Sequence, residues 1–432
     1  MDIYKNSFNI KSFGQFSFLI GTFFLATALP ISGVFFLFSI IASFVDKNSN
    51  LKFNQWDYPL FLSIGLIIFS TLNITLLNVP DEISDVNKTS IWLSLFNWIP
   101  LFFAYWGFQK YLENASQRKI FIQFLLAGSI PLLVSCILQY WFKVYGPFET
   151  LYGLIVWFQK PLLDNDGVSG LFSNQNYTGF WLSIIWPFAI FLLREKYNKK
   201  VSYIFLFLIS LLIFYLSILT NSRNTILGIG LSLPLIFNLK TFIYISFCLI
   251  LIVVAYLLLL NKFLFNTSKI ASFFPVALVE KLLNFEARNL LDFPRFEIWS
   301  KALELILEKP LLGWGASTFG ILYINREGIY KIQHTHNIPI ELSYNFGIPL
   351  SIILSSFTLF LLYKGWRMIF RYHRKNINNL NIYWLTSVTV IYFSHINDIA
   401  YYDGKISILI WILLSGIKCI INEQRKNPIQ EE

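Results

Sequence analysis

Two short polar clusters interrupt an otherwise apolar chain, and each holds a residue type suited to group transfer. In His334-Thr335-His336-Asn337 the second histidine stands at the start of an apolar run. A neutral imidazole, with a free pKa near ~6.5, accepts a hydroxyl proton close to neutral pH, so His336 is a candidate general base. The blander role for a lone histidine at a helix start is a cap or an interfacial anchor. In Asn221-Ser222-Arg223-Asn224-Thr225 the arginine opens another apolar run. A guanidinium beside the free N–H groups of a helix N-terminus suits a phosphate; the alternative is a snorkelling side chain that meets lipid headgroups. Arg288 and Arg295 lie where either could reach over the same site, though a surface salt bridge is the ordinary role of each.

Other polar residues are weaker candidates. His334 and His336 together invite a zinc reading. With four histidines in all, no cysteine nearby and a helical two-residue offset that turns the rings apart, a metal site is not expected. The connection from 142 to 172 holds Lys143, Lys160, Asp164 and Asp166, and leads into Phe172-Ser173-Asn174-Gln175-Asn176. Asn and Ser at a helix entry are usually caps, the reading preferred for Ser173; Asn174 and Asn176 read either as caps or as neutral donors and acceptors for sugar hydroxyls. His395, Asp398 and Asp403 could line the mouth of the last external connection, where an ordinary polar loop is the default. His373 belongs to a basic face.

The elements that must position these residues are set by composition. Of 432 residues, 56% are hydrophobic and 13% charged, and the mean hydropathy is +0.58. Soluble chains run near ~25% charged. The deficit excludes a soluble multidomain enzyme, a disordered chain and a disulfide scaffold. The net charge of +10 would raise nucleic acid as a partner in a soluble chain. Here the charges sit in short connections between apolar runs, so they report topology and no nucleic acid is expected. Cys136, Cys248 and Cys419 fall in or beside apolar runs and read as packing residues. The first apolar stretch is too long for a cleaved signal and reads as a retained anchor.

A bilayer core needs ~20 apolar residues per helix. Residues 13–45 carry Pro30 near their middle and are read as a tight hairpin of two short helices. Further spans are expected over 57–78, 91–112, 118–141, 173–194, 201–219, 222–238, 240–261, 337–363, 381–398 and 405–421, about twelve in all. With the N-terminus inside, only Lys88, Lys143, Lys160, Arg223 and Lys405 fall in or beside short external connections. That bias places both termini in the cytoplasm. The fold class is therefore all-α and polytopic, one membrane domain over 1–432, with a large external loop, 262–336, between spans nine and ten. Within it Pro294 opens a stretch ending near Glu308, with Phe296, Trp299, Leu303 and Ile306 on one helical stripe. Such a helix either lies flat on the interface or packs on a small core of the loop.

Several of these segments resemble the O-antigen ligase and polymerase superfamily of bacterial membrane glycosyltransferases, over roughly 165–421. Gly170, Phe172, Asn174 and Asn176 are similar to the family's Gly-x-Phe-x-Asn-x-Asn approach to a span. Arg223 through Leu227 fits its Arg-x3-Leu motif, and Arg295 to Leu303 followed by Pro310 to Phe319 resembles a stretch of its large external loop. His336-Asn337, nine residues and Gly347 match its His-(Asn/Ser/Gln)-x9-Gly pattern, with Leu350 where the closing Gly, Thr or Tyr stands. The resemblance implies a GT-C-like fold in the bacterial inner membrane with a periplasmic site. It also implies a polyprenyl-diphosphate-linked glycan donor, a lipid or glycan acceptor, surrounding membrane lipids, and transfer without metal or other cofactor. By residue matches, Arg223 and Arg295 would hold the diphosphate, and His336 would activate the acceptor hydroxyl. His334, Asn337, Arg288, Asn174 and Asn176 would contact substrate.

The chemistry is reasonable apart from the resemblance. Breaking a sugar–diphosphate bond builds negative charge on the leaving group, so preorganised guanidinium donors favour the transition state. Ligase and polymerase differ only in acceptor. The competitor from another class is a twelve-span secondary transporter, for example of inorganic carbon. Such proteins show repeated halves and polar groups near the midplane, whereas here the polar groups gather at one face.

Overall fold

The computed structural model describes residues 9–46, 54–77, 79–83, 86–163, 166–195, 200–237, 240–244, 247, 251, 294–372 and 379–426. Arg288, Cys248, Asp164, His373, most of the expected span 240–261 and the first part of the 262–336 loop lie outside them. The described helices run α1 Ile10–Phe24, α2 Leu29–Val45, α3 Tyr58–Leu72, α4 Lys88–Leu93, α5 Ile99–Phe108 and α6 Ala115–Trp141. A two-stranded antiparallel hairpin follows, β1 Phe148–Thr150 with β2 Ile155–Trp157. Next come α7 Gln175–Arg194, α8 Lys200–Leu219 and α9 Arg223–Ile236. The described helices end with α10 Pro294–Glu308, α11 Phe319–Asn325, α12 Ile338–Phe346, α13 Ile348–Tyr372, α14 Leu380–Asn397 and α15 Gly404–Lys426.

This is a helical membrane protein. Among the described residues six helical stretches are long and apolar enough to cross a bilayer: Tyr58–Leu77, Lys88–Tyr111, Ala115–Trp141, Gln175–Arg194, Ile348–Phe370 and Gly404–Arg425. Leu29–Val45, Tyr203–Leu219 and Arg223–Ile236 are apolar but shorter. The N-terminal hairpin forms at the expected place, with Pro30 in the first turn of α2. Its packing shows why helices with apolar outer faces associate: α1 buries Gly14, Ser17, Gly21 and Thr22, and α2 buries Ser32, Ser39, Ala42 and Ser43. Val34, Leu37 and Ile41 face outward. Small and hydroxyl residues let backbones approach closely, and Thr22, Ser32, Ser39 and Ser43 each donate to a carbonyl, Ser32 Oγ to Gly21 O at 2.7 Å.

The chain divides into two compact units. The first comprises Met1–Gly128, Arg288–Gly365 and His395–Glu432; the second comprises Ser129–Ala287 and Trp366–Ser394. The first unit carries a cap of its own. Ile74, Ile83 and Val86 from the connection after α3, with Ile91 of α4, form one core with Ile298, Ala302, Leu305 and Ile306 of α10, and with Trp314, Phe319, Leu322, Tyr323 and Tyr344. The helix over Pro294–Glu308 is as expected, and of its expected stripe Ile306 is buried and Trp299 partly so, but Phe296 and Leu303 are not. Ile298, Ala302 and Leu305 face the core, while Phe296 and Leu303 are 44% and 50% exposed. Packing onto a core holds for α10, with Trp299 only partly buried against it.

The expected span 337–363 is two helices. At Gly347 the backbone takes φ +94°, and a side chain there would collide with the Leu311 carbonyl. The break lets Ile348 N–H reach Pro310 O at 2.8 Å, while Trp314 N–H and Gly315 N–H bond Tyr344 O and Asn345 O at 2.8 and 3.0 Å. Gly313, at φ +69°, passes against the same backbone. The Pro310–Gly315 run and the segment closing at Gly347 are thus one locked turn.

In the second unit α7 packs on α9 through Gly179, which lies against Thr220 and Thr225, and Gly228, which lies against Ser183 and Val390. Ser387 Oγ of α14 donates to Ile184 O at 2.8 Å.

Candidate functional site

In the first unit the polar residues converge on the turn between α11 and α12. Asn337 caps α12: its Oδ1 accepts from Ile340 N–H at 3.0 Å, and its Nδ2 donates to Ile396 O at 2.9 Å. Asn337 is therefore a structural cap. Glu341, only 3% exposed, accepts from Thr335 N–H at 2.9 Å, Tyr402 Oη at 2.7 Å and Asn345 Nδ2 at 3.1 Å. Trp299 Nε1 of α10 donates to Thr335 O at 2.9 Å. Buried carboxylates survive only when hydrogen-bonded in this way.

These ties force His336 into the left-handed region, φ +55°, which is uncommon outside glycine and is characteristic of sites where surrounding structure over-determines the backbone. Its Nδ1 lies 2.8 Å from Asp398 Oδ1. Asp398 sits just past α14, in a loop held by Tyr401, which stacks on Trp98 at 4.2 Å and donates to Asn97 O at 2.9 Å. Burial pushes the Asp398 carboxyl up, but the His336 hydrogen bond and charge, the Arg295 guanidinium and the Ile399 N–H together hold it below the usual carboxylate value. Arg295 Nη2 stands 4.0 Å from Asp398 Oδ2 and is 41% exposed.

His334 is half-buried, and its Nδ1, shielded from solvent, has no hydrogen-bond partner among the described residues. Its pKa is lowered by burial first and by the neighbouring His336 second, with Glu341 and Asp398 opposing. The two rings are not turned apart: their centroids are 4.3 Å apart, because the segment is a turn and not a helix. Among the described residues no group of three or more His, Cys, Asp or Glu could hold a metal.

The second unit holds the other candidates. Arg223 is the first residue of α9 and exposed, above buried Ser222 and Thr225 hydroxyls that lack hydrogen-bond partners among the described residues. Asn174, not Ser173, caps α7, its Oδ1 accepting from Asn176 N–H at 2.8 Å. The preceding turn is fixed by Gln139, whose Oε1 accepts from Ser169 and Gly170 N–H, both at 2.9 Å. Gly170 takes φ +50°, and Phe172 is buried against Trp181. Asn174, Asn176, Ser173, Lys160 and Asp166 line a polar pocket of about 310 Å³.

Residues 205–355 match the family model described as O-antigen ligase. This part of the chain is similar to the O-antigen ligase family. The matched segment includes Arg223, Arg295 and the whole His334–Gly347 stretch, and leaves Asn174, Asn176 and Asp398 outside it. No curated protein matches the chain.

Sequence reasoning passed over Glu341 and Tyr402 and gave Asp398 only a place near the mouth. Glu341 had a usable signal, being an acidic residue inside the apolar run Ile338–Leu342. Asp398 had none, since the contact with His336 joins segments far apart in sequence.

Proposed function

We propose that this protein is a glycosyltransferase that moves a glycan from a polyprenyl-diphosphate carrier to an acceptor hydroxyl at the periplasmic face of the bacterial inner membrane. The observation that carries the reading is the His336–Asp398 pair with Arg295 beside it. An ionised Asp398 keeps the proton on His336 Nδ1, which leaves Nε2 as the acceptor. The acceptor oxygen attacks the anomeric carbon and its proton passes to Nε2. The bond from that carbon to the diphosphate oxygen breaks, and the diphosphate departs with the electron pair. Arg295 offers its charge to the leaving group, and Arg223 does so on the strength of its sequence motif. The acceptor is a lipid A core or a similar anchor. A polymerase of the same superfamily, whose acceptor is another lipid-linked glycan, is the second reading, favoured by Leu350 at the closing position of the histidine motif.

Deleting the gene and examining surface polysaccharide tests this. Deletion is expected to shorten or release the long-chain glycan, and His336→Ala and Arg223→Ala are expected to insert normally yet fail to restore it. Normal glycan with either variant removes that residue from the mechanism. Solute uptake by the purified protein in liposomes points instead to transport.

A further inference from the structure

The first unit holds a cavity remote from His336. It is an open groove of about 1300 Å³ between the start of α3 and the length of α13, larger than the roughly 300–1,000 Å³ of ordinary small-molecule pockets. Most of its lining is apolar, including Phe61, Leu62 and Ile352, and among the described residues its charged lining is Lys364 and Arg425. Lys364 lies seventeen residues along α13 from Gly347, about 25 Å at the helical rise. Ser70, near the other end of α3, bonds Leu312 O beside that glycine, so α3 and α13 run antiparallel. The charged end of the groove therefore lies at the end of the unit opposite the His336 turn.

At that end cations gather on aromatic rings. Trp56 and Phe360 lie 4.8 Å apart. Lys418 Nζ stands 4.2 Å from the Trp56 ring centre, the Arg425 guanidinium 5.3 Å from it, and Lys364 Nζ 5.3 Å from that of Phe360. None of the three makes a salt bridge among the described residues. Lys418 is the one with company: its Nζ donates to Asn54 Oδ1 at 3.2 Å and it feels the nearby Asp57 carboxylate, whereas Glu423 pairs with Arg118. An apolar trough ending in Lys364 and Arg425, with Trp56 and Tyr58 at the rim, has the chemistry that suits a lipid whose headgroup is an anion.

We propose that this groove binds one anionic phospholipid, its acyl chains along α3 and α13 and its phosphate between Lys364 and Arg425. The site is separate from glycan transfer. The test is lipid binding by the purified full chain, read by native mass spectrometry and by thermal unfolding, with phosphatidylglycerol, phosphatidylcholine or inorganic phosphate added. Phosphatidylglycerol is expected to be retained and to raise the unfolding midpoint, and the other two are not. K364Q/R425Q should cut retention by about tenfold or more. S356F, which fills the groove and leaves the charges intact, should do the same, while K331Q, outside the groove, should not. Equal retention of phosphatidylcholine, unchanged preference in K364Q/R425Q or S356F, or stabilisation by inorganic phosphate alone overturns the proposal. Retention of a polyprenyl phosphate in place of the phospholipid also overturns it.

Discussion

Asn337 and Asn174 do the same local job with different surroundings. Each caps a helix with its side-chain oxygen, and each belongs to a short Asn-containing motif. Around Asn337 stand a buried carboxylate, a second carboxylate on an imidazole, a guanidinium and a strained backbone. Around Asn174 stand amides, hydroxyls, one lysine and one aspartate about a small polar pocket. A cap alone costs little and calls for none of the first set. Under the proposed function, proton transfer falls to the His336 turn and sugar recognition to the Asn174 pocket.

The largest effect that could break this contrast is catalytic. His336→Ala should lower the turnover of glycan transfer by ~10²–10⁴, whereas Asn174→Ala should act mainly on the Michaelis constant; steady-state kinetics with varied donor separates them. Next in size is Glu341→Ala, which leaves Thr335 N–H, Tyr402 Oη and Asn345 Nδ2 without their acceptor, at about 1–3 kcal/mol for each group that stays unsatisfied. Thermal unfolding of the purified protein should report it, with activity falling in parallel as the turn loosens. Gly347→Ala should destabilise by more than ~1 kcal/mol, because the position needs positive φ, and the same measurement checks it. Asn174→Ala should cost only about 1 kcal/mol of stability, the ordinary value of a lost cap.

The smallest effect is on pH dependence and concerns His334. Its folded pKa lies below its unfolded value near ~6.5, so below that pH the unfolded chain binds more protons than the folded one. Stability should therefore fall as pH drops from about 6.5 toward the lowered pKa and level off beneath it. His334→Gln should flatten that slope in unfolding measured between neutral and mildly acidic pH.

Much of the architecture was legible in the sequence because membrane helices announce themselves by length and hydropathy. The hairpin at Pro30, the bounds of α10 and the start of α9 at Arg223 all follow from local signals. The break at Gly347 was less legible, since apolar residues continue on both sides and only a contact with Leu311 requires it. The buried stripe of α10 is legible only at Trp299 and Ile306 and not at Ile298, Ala302 and Leu305, because the connection after α3, far away in sequence, supplies the surface it packs on. For the site, His336 and Arg295 were visible as residue types in a motif. The ring contact between His334 and His336 was not, because it depends on a backbone angle that hydropathy does not encode, and neither was the partnership with Asp398.

The most direct test of the proton-transfer assignment is the turnover of purified Asp398→Asn protein in liposomes, with a polyprenyl-diphosphate glycan as donor. An amide at that position keeps the size of the side chain but no longer fixes the imidazole tautomer or steadies its positive charge. The prediction is a fall of ~10²–10⁴ in turnover, with the unfolding midpoint close to that of the unaltered protein. Turnover equal to that of the unaltered protein would contradict the assignment of His336 and Asp398 as the proton-accepting pair.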